Sequence, residues 1–142
     1  MKKLERAISL AVHAHNGQLD KIQEPYILHP MRVMLAVNTE KERIVAILHD
    51  VVEDTTWSIE DLLATGFDKE IVEAVALLSK EKGQDYSDYL RKIKCNQLAL
   101  TVKKADITDN LSPRRLYNMA PDKAEYLKNK YENALRIINS TD

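Results

Sequence analysis

Four polar residues stand in a strongly apolar stretch of the chain, and their types are those that bind divalent metals. Residues 44–54 read IVAILHDVVED, with no Lys or Arg among them. His49 and Glu53 are four positions apart, as are Asp50 and Asp54, so a helix gathers all four around one end. A helix that is apolar all round belongs in a core, where carboxylates are costly unless positive charge meets them. Imidazole plus carboxylate suits a first-row divalent ion. The segment therefore predicts a metal site, and the competing interpretation is a hydrogen-bonded core histidine beside a solvated acidic helix end.

Other segments must complete such a site, because side chains at adjacent positions diverge by about 100° around a helix axis. Asp106 in VKKADITDN and His29 in PYILHP are the remaining candidates. Each also has an ordinary structural explanation. Asp106 could pair with Lys103 or Lys104, and His29 could be a loop histidine just before a helix that begins at Pro30.

Length and composition fit a single soluble domain over residues 1–142. The chain has 44% hydrophobic and 30% charged residues, with only 3 Gly and 4 Pro, which favours helix. The 21 basic and 22 acidic residues give a net charge of −1, so no general field for nucleic acid or membranes is expected. The single cysteine, Cys95, cannot form an internal disulfide, and neither a signal peptide nor a membrane-spanning apolar run is present. These features predict a cytoplasmic protein.

Apolar residues at helical spacing predict an all-α fold without strands. The expected helices cover residues 1–16, 30–38, 41–54, 58–64, 71–78, 86–93, 98–111 and 122–138. Ser58 and Asp68 are expected to cap helices. The last helix is expected to turn these residues inward: Tyr126, Leu127, Tyr131, Leu135 and Ile138.

The order His, His-Asp and later Asp in a helical chain resembles the HD superfamily of metal-dependent phosphohydrolases. Within it, the chain is most similar to the hydrolase domain of the Rel and SpoT alarmone enzymes, and above all to small stand-alone alarmone hydrolases. Four segments carry the resemblance: AHNGQ at 14–18, PYILHP at 25–30, LHDVVEDT at 48–55 and KKADITDNL at 103–111. The fold that this implies is a compact multi-helix HD-domain bundle.

The resemblance also implies the ligand set of the metal. The four residues that match the family's ligands are His29, His49, Asp50 and Asp106. Manganese is the typical ion of the family. The donor types alone also suit Fe²⁺, Zn²⁺ or Mg²⁺.

The implied reaction removes the 3′-pyrophosphate of ppGpp or pppGpp and releases pyrophosphate. Glu53 and Asp54 match the catalytic acidic pair, with Glu53 expected to position or deprotonate water and Asp54 to assist the leaving group or hold the water in place. Lys21 matches a substrate-loop lysine, and Asn110 matches an asparagine that contacts the nucleotide sugar. Asp20 stands where long Rel enzymes carry an arginine that helps hold the guanine base, so an adenine alarmone stays open.

Two other functions compete with this interpretation. One is a different HD phosphatase acting on NADPH or a nucleoside monophosphate, and the other is a nucleotide-sensing domain without turnover. In every case the expected partner is a small nucleotide, and a homo-oligomer stays open. Four further basic residues could neutralise phosphates but are expected mainly on solvated faces: Lys80, Lys82, Arg114 and Arg115.

Overall fold

The computed structural model describes residues 1–141, which form ten helices and no strand. This confirms the all-α class. In chain order, the helices are α1 Lys3–Ala14, α2 Leu28–Leu35, α3 Glu40–Leu48, α4 Val51–Asp54, α5 Ile59–Ala64, α6 Lys69–Leu78, α7 Tyr86–Lys94, α8 Gln97–Asn110, α9 Pro113–Tyr117 and α10 Pro121–Asn139.

Helices α3 and α8 pack against each other at the centre of the bundle. Helix α3 also packs on α1, α2 and α6, while α8 also packs on α2, α6, α7 and α10. Residues 44–48 of α3 are all buried, as expected for a helical stretch that is apolar all round. No helix within residues 1–141 is both long and apolar enough to cross a membrane.

The expected single helix over residues 41–54 is wrong, because the helix is interrupted at His49 and Asp50. Helix α3 ends at Leu48 and α4 begins at Val51. The carbonyl of Ala46 accepts a hydrogen bond from the His49 ring, and the His49 backbone N–H lies 3.5 Å from the same oxygen. A side chain that competes for a backbone acceptor in this way disturbs the helical ladder. The interruption falls on the two central residues of the candidate metal motif.

The two expected caps behave differently. Ser58 and Asp61 form a reciprocal capping box at the start of α5, as predicted. Asp68 precedes α6 but makes no side-chain cap. Its carboxylate instead accepts from Lys3 Nζ at 3.0 Å, which ties α1 to the start of α6.

Helix α10 turns most of the expected residues inward but not Tyr126. Leu127 and Ile138 are buried, and Tyr131 and Leu135 pack against the core. Tyr126 is 67% exposed, because it lies one position, or about 100° of helix, from the buried Leu127. Helix α9 was not expected; Pro113 occupies its first turn, where the missing N–H costs nothing.

Candidate metal centre

Four side chains from three separate parts of the fold converge on one small volume. His29 is on α2, His49 and Asp50 form the α3–α4 junction, and Asp106 is on α8. The Asp106 Oδ1 atom lies 2.8 Å from His29 Nε2 and 3.3 Å from His49 Nε2. The Asp50 Oδ2 atom lies 3.0 Å from His49 Nε2 and 3.8 Å from His29 Nε2. All the predicted ligands are therefore brought together.

The protonation of His49 leaves a free nitrogen facing this volume. Its Nδ1–H donates to the carbonyl of Ala46, so in the neutral ring Nε2 carries the lone pair. This Nε2 atom is fully buried, and although the Asp50 and Asp106 oxygens lie 3.0 and 3.3 Å away, no described residue meets hydrogen-bond geometry with it. Burial lowers the pKa of His49, but Asp50 and Asp106 outweigh it and raise the pKa well above its usual value. A divalent cation fits here, because it would use the orphaned nitrogen and supply the charge that the acids attract.

His29 is oriented by a carboxylate behind it. Because α2 begins at Leu28, His29 lies inside the helix and the expected position before the first helical residue is wrong. Its Nδ1 donates to Asp109 Oδ2 at 2.6 Å, and Asp109 also accepts from Arg32 at 2.7 Å and Arg115 at 3.3 Å. Although burial opposes it, these bonds lower the pKa of Asp109 to about 2. A carboxylate behind a metal-binding histidine fixes its tautomer and ring orientation.

Asp106 lies among the candidate metal ligands and also pairs with a lysine, so both explanations given for it from the sequence apply. One oxygen, Oδ1, faces the two imidazoles, and the other, Oδ2, accepts from Lys103 Nζ at 2.9 Å. Lys103 and Asp106 are both buried, whereas Lys104 is exposed. Burial opposes ionisation of Asp106, but the Lys103 charge holds its pKa well below the usual value. A buried cation thus keeps this carboxylate ionised beside the imidazoles.

Glu53 and Asp54 lie next to this cluster on the exposed turn of α4. Asp50, Glu53 and Asp54 each place one oxygen within 4.8 Å of the others. Glu53 Oε1 accepts from the backbone N–H of Lys80 at 2.6 Å. Partial desolvation, together with Asp50, raises the pKa of both carboxylates. The alternative interpretation, a solvated acidic helix end, therefore holds for Glu53 and Asp54, whereas the Asp50 side chain turns inward.

Tyr26 is a site residue that the sequence reasoning missed. Its hydroxyl donates a short hydrogen bond to Asp50 Oδ2, and its ring packs against His29 with centroids 5.9 Å apart. Burial and the Asp50 charge raise the pKa of Tyr26, so it remains a donor. The signal lay in PYILHP, where Tyr26 precedes His29 by three positions and so shares its side of the chain.

These groups open into a cavity of about 330 Å³. The candidate substrate residues Lys21 and Asn110 line it, as do Glu53 and Asp54. Asn110 Oδ1 accepts from Arg115 Nη1 at 2.7 Å. Arg115 is only 5% exposed, so its expected place on a solvated face is wrong.

Asp20 has a local structural role beside Lys21. Its Oδ1 accepts from the backbone N–H groups of Ile22 and Glu24, each at 2.9 Å. Asp20 is buried while Lys21 is exposed and lines the cavity. The carboxylate therefore organises the loop that presents Lys21, in the manner of an aspartate-stabilised turn.

Comparison with known proteins agrees with this site. No family model matches the chain. The bifunctional (p)ppGpp synthase/hydrolase SpoT of Escherichia coli K12 is 34% identical over 138 residues, which cover 87% of this chain and 19% of SpoT. A guanosine-3′,5′-bis(diphosphate) 3′-pyrophosphohydrolase of Vibrio cholerae is 32% identical over 137 residues, with coverage of 87% and 19%. The chain thus spans about a fifth of the length of these relatives.

A solved structure shares the fold over the whole chain. It is a metazoan ortholog of SpoT, described as hydrolyzing ppGpp, with a TM-score of 0.79 and 23% identity over 100% of this chain and 88% of that one. The helical bundle and its two-histidine, two-aspartate cluster define an HD-type domain. The chain belongs, more narrowly, to the Rel/SpoT group of these domains, as its four sequence segments predicted.

Proposed function

We propose that the chain is a metal-dependent hydrolase that removes the 3′-pyrophosphate from guanosine alarmones such as ppGpp and releases pyrophosphate. The observation that carries this proposal is the convergence of His29, His49, Asp50 and Asp106 beside an exposed acidic pair in one cavity. The names of the relatives support the same reaction. A single domain over residues 1–142 and a cytoplasmic location stay predictions.

The four convergent residues would hold one divalent cation, and manganese is the ion that we propose. When bound, such an ion makes water more acidic and neutralises phosphate charge. The protein's own contribution is orientation. Asp109 fixes the His29 ring, the Ala46 carbonyl fixes the His49 ring, and Tyr26 fixes Asp50. Preorganised ligands of this kind lose little freedom on binding.

Glu53 is the proposed general base. Its raised pKa makes it a better proton acceptor than an ordinary glutamate. The Lys80 backbone N–H holds one of its oxygens at 2.6 Å, which leaves the other for water. Asp54, whose pKa is also raised, would assist the developing 3′-oxygen or hold the water in place. Lys21 would neutralise phosphate charge, and Asn110 would contact the sugar.

The test offers manganese-loaded protein ppGpp, pppApp, NADPH and dAMP and identifies the products. Release of pyrophosphate from ppGpp is the expected result. Dominant pyrophosphate release from pppApp would assign the adenine alarmone. Dominant orthophosphate from NADPH or dAMP would contradict the proposal in favour of another HD phosphatase, and tight binding without turnover would favour a sensor.

The Glu53→Gln substitution tests the mechanism. We expect kcat to fall by about 10²-fold or more, the typical contribution of a general base, while manganese affinity stays within about threefold. Glu60→Gln is the matched control, because Glu60 is an exposed residue on α5 and does not line the cavity. If Glu53→Gln leaves kcat unchanged, Glu53 is not the base.

A further inference from the structure

One lysine of the cavity has a position that the metal centre does not explain. Lys130 lies on α10, which contributes none of the four candidate ligands, and it lines the same cavity. Its ammonium lies 5.0 Å from the ring centroid of Tyr86 and 5.5 Å from that of Tyr131. Two aromatic faces at these distances favour a cation and restrict where its stem can point. Lys130 is therefore a positioned charge rather than a freely moving surface lysine.

Lys130 has no anionic partner of its own. Among residues 1–141, no carboxylate lies within ion-pair distance of its ammonium, and the side chain is only half exposed. Burial lowers its pKa, and the charges of Lys103 and Lys80 lower it further, while Glu53 and Asp106 oppose this shift without pairing with the ammonium. Lys103, by contrast, is neutralised by Asp106. Lys130 therefore offers the cavity a partly desolvated positive charge that no carboxylate of residues 1–141 pairs with, and an anionic ligand group can take that place.

Lys21 is a second lysine of the same cavity, although it is far from Lys130 in the sequence. It lines the same cavity, and no residue of the described chain pairs with it either. Burial lowers the pKa of Lys21, and Lys130 is the largest charge acting on it. Because both lysines line the same cavity, one multivalent anion bound there would face both charges.

The cavity accordingly offers two places for negative charge. One is the candidate metal centre, and the other is the pair Lys21 and Lys130. A ligand that fits both carries anionic groups at two ends of one small molecule. This inference rests on the proposed function, in which the 3′-pyrophosphate occupies the metal centre. We propose that Lys130, together with Lys21, binds the 5′-phosphates that are not cleaved and so makes the site selective for nucleotides phosphorylated at both positions.

The kinetic test compares two substrates, ppGpp and guanosine 3′-diphosphate with a free 5′-hydroxyl. Lys130→Met keeps the apolar stem between the tyrosines and removes the charge. We expect it to raise KM for ppGpp by about tenfold or more, as loss of a charge-assisted phosphate contact implies, with kcat within about twofold. For the substrate without 5′-phosphates, KM should not change. Lys130→Arg should restore most of the affinity for ppGpp, because it restores the charge.

Lys128→Met is the matched control. Lys128 is exposed on the same helix, and its ammonium lies 3.9 Å from Glu132 and outside the cavity. The Lys128→Met substitution should leave KM for both substrates unchanged. Two results for Lys130→Met would overturn the proposal: an equal rise in KM for both substrates, or a fall in kcat with unchanged KM. Either would mean that Lys130 contacts the cleaved phosphates or only supports the structure.

A binding experiment separates this inference from the hydrolase proposal. Isothermal titration of guanosine 3′,5′-bisphosphate and of guanosine 3′-monophosphate into manganese-loaded protein needs no turnover. The wild type should bind the bisphosphate at least tenfold more tightly, and Lys130→Met should remove most of that difference. Equal affinities in the wild type would refute the role of Lys130, whether or not ppGpp is hydrolysed. Absence of hydrolysis with the expected binding pattern would refute only the proposed reaction.

Discussion

Removing the charge of Lys103 should destabilise the protein far more than removing that of its neighbour. The Lys103 and Asp106 side chains are 9% and 7% exposed, and their charged atoms lie 2.9 Å apart. Removing one member of a buried pair costs about 3–5 kcal/mol, because the other charge stays buried without its partner. Asp106 keeps its contacts with His29 and His49. We therefore expect Lys103→Met to cost about 3 kcal/mol, at the lower end of that range.

Thermal unfolding in EDTA measures this cost directly. For a chain of this size, 1 kcal/mol corresponds to about 2–4 °C in Tm, so Lys103→Met should melt about 6–12 °C below the wild type. Lys104→Met is the control, since Lys104 is exposed one position away, and it should change Tm by no more than about 2 °C. Equal Tm values for the two variants would show that the Lys103–Asp106 pair contributes nothing to stability.

Adding manganese should reduce the difference in Tm between the wild type and Lys103→Met. A cation at the candidate centre supplies Asp106 with positive charge, and the variant lacks the lysine that would repel that cation. Metal at about 100 times its Kd stabilises the native state by about 2.7 kcal/mol, so a tighter Kd in the variant appears as a larger rise in Tm. If manganese increases this difference in Tm, the metal does not bind beside Asp106.

Two further predictions concern the support of His29 and the start of α3. Asp109→Asn should weaken manganese binding about 10- to 100-fold, because Asp109 orients His29; competition with a fluorescent chelator measures it, and a change below threefold would contradict the role. Glu42 caps α3 by accepting from the Thr39 N–H at 2.9 Å, which lowers the pKa of its carboxylate. Its stabilisation is therefore complete above its ordinary pKa of 4.5 and is lost as pH falls through the lowered value. The Tm of Glu42→Gln should lie below that of the wild type at pH 6 and approach it at pH 3, and a constant difference would refute the assignment.

The candidate ligands His49 and Asp50 can be found in the sequence because their surroundings are so apolar. Acids inside a helix that must be buried conflict with the low-polarity core, and a cation resolves that conflict. His29 and Asp106 lack this signal, since each has an ordinary explanation in its own segment. Only the order and spacing of the four segments connected them to the centre. Asp106 then proved to pair with Lys103 while also facing the imidazoles.

Residues that act through tertiary contacts could not be found in this way. Arg115 looks like a surface charge in sequence, and its burial depends on Asp109 and Asn110, which precede it across the turn between α8 and α9. Lys130 lies in a helix with abundant charged residues, and its distinct environment arises only where Tyr86 on α7 meets α10. Local charge patterns therefore underestimate how many cations line this cavity.

The break between α3 and α4 falls at His49 and Asp50, two residues of the candidate metal centre. A continuous helix would direct these adjacent side chains about 100° apart. With the helix interrupted there, the His49 ring is anchored to the Ala46 carbonyl, and both side chains reach the same cluster. Helix propensity does not predict this interruption, because what accompanies it is a hydrogen bond from the His49 ring to the Ala46 carbonyl, while both residues keep backbone angles in the right-handed helical region. The two central residues of the candidate centre thus lie at a local departure from regular hydrogen bonding, between the helices α3 and α4.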